Sequence, residues 1–347
     1  MNWLRRNFFA QDVLYLGFVS ALVLWTLAAA AGLPHYLHSG VGEYAWAQSN
    51  LWQLAAKFAG LGVVYLMMQR GVLRLHRDYL SKDLRPPRGL AALNLLFSLA
   101  PLVLVPTVFQ LLGAFIAGVS GAPDPSTHPD FDPAQVYDPA ATWWDLELRA
   151  LEVRWLGVYL PHAVREHQQP WLTGVLMWLY VGYYLSPGVA MLPPIFRGQW
   201  KLVREGSALA MACLFLTYLG HILIPATSPR AFGGPEAWLP AKSGWFGAEA
   251  VARFINSIEV IRWDAFPSGH TAMGLVCLIF AIRHQPRIGW AYAPCVAGVI
   301  VATIYLGYHH TIDVVVGVLL VPAVFLLAGP MVRQWDGPQK LPRRDSP

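Results

Sequence analysis

Long apolar runs, separated by short polar punctuation, constrain this chain more than any other feature. A helix needs about 20 predominantly apolar residues to cross a bilayer. Runs of that kind recur near 13–33, 51–69, 90–117, 171–193, 206–226, 265–283, 288–308 and 311–332. The expected fold is therefore all-α, a polytopic membrane protein of eight helices. Composition agrees, because only 13% of the 347 residues are charged and 56% are hydrophobic, whereas soluble domains carry about 25% charged residues. A transmembrane β-barrel would show short alternating segments, so continuous apolar blocks exclude it. Cys213, Cys277 and Cys295 all fall inside apolar runs and read as small core residues, with no disulfide or metal framework.

Alternate connections differ in basic charge, and cytoplasmic loops are the ones that retain Lys and Arg. One side collects 17 of the 25 basic residues, from Arg5 and Arg6 through Arg70 to Arg88, Arg197 to Arg204, Arg283 and Arg287, to Arg333 to Arg344. The other side holds 7: Arg149, Arg154, Arg165, Arg230, Lys242, Arg253 and Arg262. Both termini are thus expected in the cytoplasm of a plasma membrane of bacterial inner-membrane type. The basic excess is a topology signal and requires no nucleic-acid partner. The length of the first run favours an uncleaved span over a signal peptide.

The two long connections, 118–170 and 227–264, then lie outside. In the first, Trp144, Leu148, Leu151, Trp155 and Val158 recur at helical spacing among Asp145, Glu147, Glu152 and Arg154. That pattern fits either a helix lying in the membrane surface or one packed on the outer ends of the spans.

Three polar clusters emerge on this outer side: Pro225 to Arg230, Asp264 to Thr271, and Tyr308 to Asp313. Ionisable groups near lipid are costly and mark function. Each cluster suits a phosphate. Pro267-Ser268-Gly269-His270 opens a helix, whose N-terminal N–H groups and dipole favour an anion, with Pro267 suited to the first helical position. Arg230 supplies a planar fork of donors, although such a residue also serves as a headgroup anchor. His309 and Asp313 are four apart and share a helix face, so the carboxylate can hold one ring nitrogen and aim the other at phosphorus. Protonated His270 can serve the departing oxygen. His310 points about 100° away from its neighbour on a helix, and its role stays open. His35, His38, His76, His128, His162, His167, His221 and His284 read as interfacial hydrogen-bonders. Trp171, Trp178, Tyr180, Tyr183 and Tyr184 read mainly as aromatic belt and span packing, with a substrate-lining role as the alternative.

The segment Ala265-Phe-Pro-Ser-Gly-His270-Thr271 resembles the second signature of the type 2 phosphatidic acid phosphatase superfamily. Tyr305-Leu-Gly-Tyr-His309-His-Thr-Ile-Asp313, followed by Gly317, resembles its third. The resemblance covers about residues 140–330. It implies a six-helix catalytic core within 90–333, an addition of two helices and a basic loop in 1–89, and a cytoplasmic tail in 334–347. It also implies His309 as nucleophile, Asp313 as its orienting partner, His270 as acid/base, and Ser268, Gly269 and Arg230 as phosphate ligands. Where the lipid phosphatases carry two further cations this chain has Leu223 and Thr303, with Ala302 in place of a serine. That pattern is closer to the branch of inositol phosphorylceramide synthase and sphingomyelin synthase. Arg262 is a partial replacement for the missing charge or else faces headgroups.

The expected activity is transfer of a phospho-alcohol headgroup, inositol phosphate-like, from a phospholipid donor to a lipid alcohol through a phosphohistidine, with no metal or organic cofactor. The alternative is a lipid phosphate phosphatase using water on phosphatidic acid or an isoprenoid (di)phosphate. A haem or metal membrane protein is more remote, because it would want His ligands facing one another at mid-membrane depth.

Overall fold

The computed structural model describes residues 10–30, 51–82, 104, 107–113, 115–116, 126, 128–132, 141–232, 245–258 and 261–336. Among them the regular structure is helical, and four single helices and the jointed segment Pro170–Phe196 are long and apolar enough to cross a membrane. In chain order the elements are α1 (Ala10–Ala30), α2 (Leu51–Lys82), α3 (Trp143–Leu156), α4 (Leu160–Arg165), α5 (Pro170–Gly182), α6 (Ser186–Phe196), α7 (Trp200–Leu223), α8 (Ala248–Ile258), α9 (Gly269–His284), α10 (Pro286–Tyr305) and α11 (Thr311–Asp336). The run at 90–117 lies mostly outside the described residues, although 104, 107–113 and 115–116 are helical.

The bundle closes around α9, which packs against α6, α7, α10 and α11. Small side chains allow this. Gly206, Ser207, Ala208, Ala210 and Ala212 are small buried residues around α7, and in a bilayer close backbone approach replaces the hydrophobic effect as the source of helix association. Phe280 of α9 fills the space left at Gly206, where an added Cβ would lie 3.3 Å from its ring. At 16 residues α9 rises only about 24 Å, less than the roughly 30 Å of a hydrocarbon core. The coil at 261–268 leads into its N-terminus.

The run at 171–193 is not one regular helix. A 3₁₀ turn at Tyr183–Leu185 joins α5 to α6, and Pro187 in the first turn of α6 explains the change, since it cannot continue the hydrogen-bond ladder of the preceding helix. The turn brings Tyr183 toward the N-terminus of α9. The added α1 and α2 pack on each other and on α7. Tyr65 donates a hydrogen bond to the buried Asp12 carboxylate, Tyr15 lies 4.5 Å from Tyr65, and Phe18 stacks on Phe215 at 4.1 Å.

Of the two placements open for Trp143 to His167, the structure adopts the one packed on the bundle. α3 buries Asp145, Leu146, Leu148 and Glu152 and leaves Trp155 65% exposed. The buried side of this helix is thus its acidic side. Cys213 and Cys277 are buried free thiols, and Cys295 is half-buried and free.

Candidate active site

The three polar clusters meet at one end of the bundle, tied by backbone hydrogen bonds. Ala265 N–H donates to Ala226 O at 3.2 Å and Ser268 N–H to Asp313 O at 2.9 Å. Arg230 donates from Nε and Nη2 to Leu306 O at 3.1 and 3.0 Å. Segments some 80 residues apart in sequence thus share one site.

The second cluster's helix begins at Gly269, so Pro267 lies outside it. Ser268 is the N-cap of α9, and its hydroxyl accepts from Thr271 N–H at 3.3 Å. Pro267 precedes the helix and packs on Gly220, where any Cβ would collide with its ring. The Ser268 side chain is fully buried in this capping role, whereas Gly269, the first helical residue, is partly open. Gly317 of α11 fits under the same turn, because a Cβ there would come within 2.7 Å of Ser268 O.

His309 precedes α11 instead of sitting on its first turn. Asp313 is the third residue of that helix, and its Oδ2 accepts from His310 N–H at 2.7 Å, which is the carboxylate half of a capping box. His309 Nδ1 is 2.8 Å from Ala265 O and 3.5 Å from Asp313 Oδ2. A carbonyl can only accept, so Nδ1 carries the proton and Nε2 the lone pair. Nε2 faces His270 Nδ1 at 3.2 Å. The pair therefore reads as a donor N–H on His270 aimed at the free lone pair of His309.

Aromatic rings hold His270 in place. Tyr180 stacks on it at 4.4 Å and Tyr183 leans against it at 4.2 Å. Tyr308 stacks on the far face of this set, 4.2 Å from Tyr180, and the Arg230 guanidinium lies 3.7 Å over Tyr308. A continuous stack thus runs Arg230, Tyr308, Tyr180, His270, in which cation–π attraction fixes the guanidinium plane. Trp171 and Trp178 are exposed, as a lipid belt requires. Arg262 is exposed on the coil before Trp263, outside the buried cluster.

In the sequence Asp145 and Glu152 stand only as polar members of a helix placed either in the membrane surface or on the ends of the spans. Both are fully buried. Asp145 accepts at Oδ1 from Thr227 N–H at 2.7 Å and at Oδ2 from Thr142 N–H at 2.6 Å. Glu152 accepts from Thr311 N–H at 2.8 Å and the Thr311 hydroxyl at 2.7 Å, a negative charge at the positive end of α11. Their spacing of seven, with Leu148 between, is the signal that both lie on the buried face.

A sequence model of the PAP2 superfamily matches residues 146–327, just over half of the chain. This chain belongs to the PAP2 superfamily. A PA-phosphatase related-family protein of Dictyostelium discoideum is 24% identical over 152 residues, covering 41% of this chain and 27% of that protein. The chain thus matches about a quarter of that relative's length. No solved structure matches. The family match spans α3 through most of α11.

Proposed function

We propose that this PAP2 member transfers a phospho-alcohol headgroup, inositol phosphate-like, from a phospholipid to a lipid alcohol, with His309 as the covalent nucleophile. The observation that carries this reading is the 3.2 Å approach of His270 Nδ1 to His309 Nε2, with His309 Nδ1 held on Ala265 O. A phosphodiester that displaces the His270–His309 hydrogen bond is attacked by Nε2, the bond from phosphorus to the glycerol oxygen breaks, and His270 gives that oxygen its proton. The acceptor hydroxyl then loses its proton to His270 and attacks the phosphohistidine, which restores His309. Arg230 and the N-terminus of α9 favour the phosphate oxygens.

Charge supports a diester over a monoester donor. A monoester is dianionic near neutral pH and gains more from additional cations. The two positions that carry cations in the phosphatase pattern are Leu223, exposed at the end of α7, and Thr303, fully buried with its hydroxyl bonded back to Ile300 O at 2.7 Å. The relative's name favours the second reading, hydrolysis of a lipid phosphate. Two reactions separate them: phosphatidic acid alone, and phosphatidylinositol or phosphatidylcholine with a lipid alcohol. Headgroup exchange in the second is expected; inorganic phosphate from the first without exchange in the second would restore the phosphatase. In either reaction His309→Ala should abolish covalent labelling by substrate phosphorus. His270→Ala should slow turnover by about 100- to 10,000-fold and be partly relieved by a good leaving group.

A further inference from the structure

Behind His309 lies a second titratable cluster that phosphoryl transfer does not use directly. His310 is fully buried, and its two ring nitrogens face different oxygens, Tyr159 Oη at 2.9 Å from Nδ1 and Asp145 Oδ1 at 3.7 Å from Nε2. An ionised carboxylate only accepts, and a neutral imidazole has a single N–H. A neutral ring meets both contacts when the Tyr159 hydroxyl donates to Nδ1 and Nε2–H points at Asp145; what favours a second proton is the set of fully buried carboxylates around the ring, Asp145, Glu152 and Asp313.

The surroundings favour that charge. Burial alone would lower the His310 pKa, yet Asp313 of α11 and Asp145 and Glu152 of α3 raise it overall. Tyr159, after α3, is held well above its ordinary pKa by burial and by Glu152, so its phenol keeps its proton. The remaining charged or titratable groups nearby are Arg149 of α3, whose guanidinium lies over the Tyr159 ring, and His162 of α4. His162 is pushed down to about 4 by burial, Arg149 and Arg165, which leaves it neutral.

Asp145 does more than face one imidazole. It also binds Thr227 in the loop that carries Arg230, through the N–H at 2.7 Å and the hydroxyl at 3.0 Å. The His310 backbone N–H is tied to Asp313. His309 sits between these anchors and the α10 end, where its own N–H donates to Thr303 O at 3.1 Å.

We propose that Asp145 and His310 are positioning residues: a buried ion pair through which α3 fixes the turn bearing His309 and holds the Arg230 loop in register with it. This presupposes that His309 is the nucleophile. A misplacement of about 1 Å at a reacting group can cost about 100-fold in rate, so a fault in this pair should appear in kcat more than in KM.

The test combines a titration with a double-mutant cycle on the full chain in detergent. In protein labelled with ¹⁵N-histidine, the resonance that disappears in His310→Gln should be protonated above the ordinary imidazole pKa of about 6.5, and in Asp145→Asn it should titrate at lower pH. Asp145→Asn and His310→Gln should each lower kcat about 10- to 100-fold at nearly constant KM, with the double variant no worse than the worse single, because a pair acting as a unit is non-additive. A neutral His310 at pH 7 in the unmodified protein, unchanged kcat in the single variants, or multiplied losses in the double variant would each overturn the proposal. Should a variant fail to fold, the titration of the unmodified protein decides. His309→Ala distinguishes the two levels. Lost phosphorus labelling there, beside full activity in the Asp145 and His310 variants, removes the positioning role only. Retained turnover in His309→Ala removes the phosphohistidine itself.

Discussion

His309 Nδ1 has two oxygens near it, and the nearer belongs to a peptide. Ala265 O at 2.8 Å fixes the tautomer, while Asp313 Oδ2 at 3.5 Å supplies charge behind the ring. Substituting the carboxylate therefore leaves the lone pair correctly placed and removes stabilisation of the cation that forms on phosphorylation. Asp313→Asn should slow formation of the phosphoenzyme by roughly 10- to 100-fold, less than His309→Ala, with the protein still folded because an amide oxygen can accept from His310 N–H. Rapid-quench labelling checks the rate, and an unchanged rate would leave Asp313 with its capping role alone. The same pocket makes stability depend on pH. His310 has a raised pKa in the folded state, so between its ordinary value and the raised one the folded protein binds more protons than the unfolded chain. Stability from this group is complete below about 6.5 and is lost as pH rises through the raised value. Thermal unfolding of the unmodified protein should shift to lower temperature on raising the pH from about 6.5 into the alkaline range, and His310→Gln should flatten that slope.

Helix packing in this bundle depends on positions where a methyl group has no room. At Gly317 an added Cβ would lie 2.7 Å from Ser268 O and 3.2 Å from Thr271 Cβ, so alanine must push α11 away from the start of α9. Overpacking of this kind costs about 1–3 kcal/mol. Gly317→Ala should lower the unfolding temperature and also kcat, since the Ser268 to Asp313 hydrogen bond crosses the same contact. Gly60→Ala on α2, where nothing lies within 4 Å of the new atom, should be neutral or gain up to about 1 kcal/mol from helix propensity. Equal loss of activity in both would detach the Gly317 effect from the site. Much of this architecture was legible in the chain: seven of the eight apolar runs coincide with described helices, and the clusters at Arg230, His270 and His309 punctuate their ends. The departures have local causes. The 171–193 run breaks at Tyr183 because Pro187 interrupts the ladder, and Pro267 falls before the helix, not at its first position, because the Ser268 hydroxyl caps it by accepting from Thr271 N–H. The role of Tyr180 depends on ring stacking across helices, which helical spacing does not encode. The buried acids of α3 are not marked by apolar periodicity, although Asp145 and Glu152 repeat with the buried Leu148.

At the scale of the whole molecule, orientation decides which leaflet supplies the substrate. The three site loops share one end of the bundle through the contacts among Ala226, Ala265, Ser268 and Asp313, so a single topological result fixes them all. Seventeen of the basic residues belong to the opposite connections and the two termini, against 7 on the side of the site. Retention of Lys and Arg in the cytoplasm then predicts a site on the outer face. Its headgroup donors and acceptors would be drawn from the outer leaflet. Reporter fusions give the check. A reporter after Pro347 should read cytoplasmic, and one inserted within 235–245, between the Arg230 loop and α8, should read external. A cytoplasmic signal from the 235–245 insertion would turn the site to the inner leaflet. An external signal from both would break the even number of crossings that the eight apolar runs require.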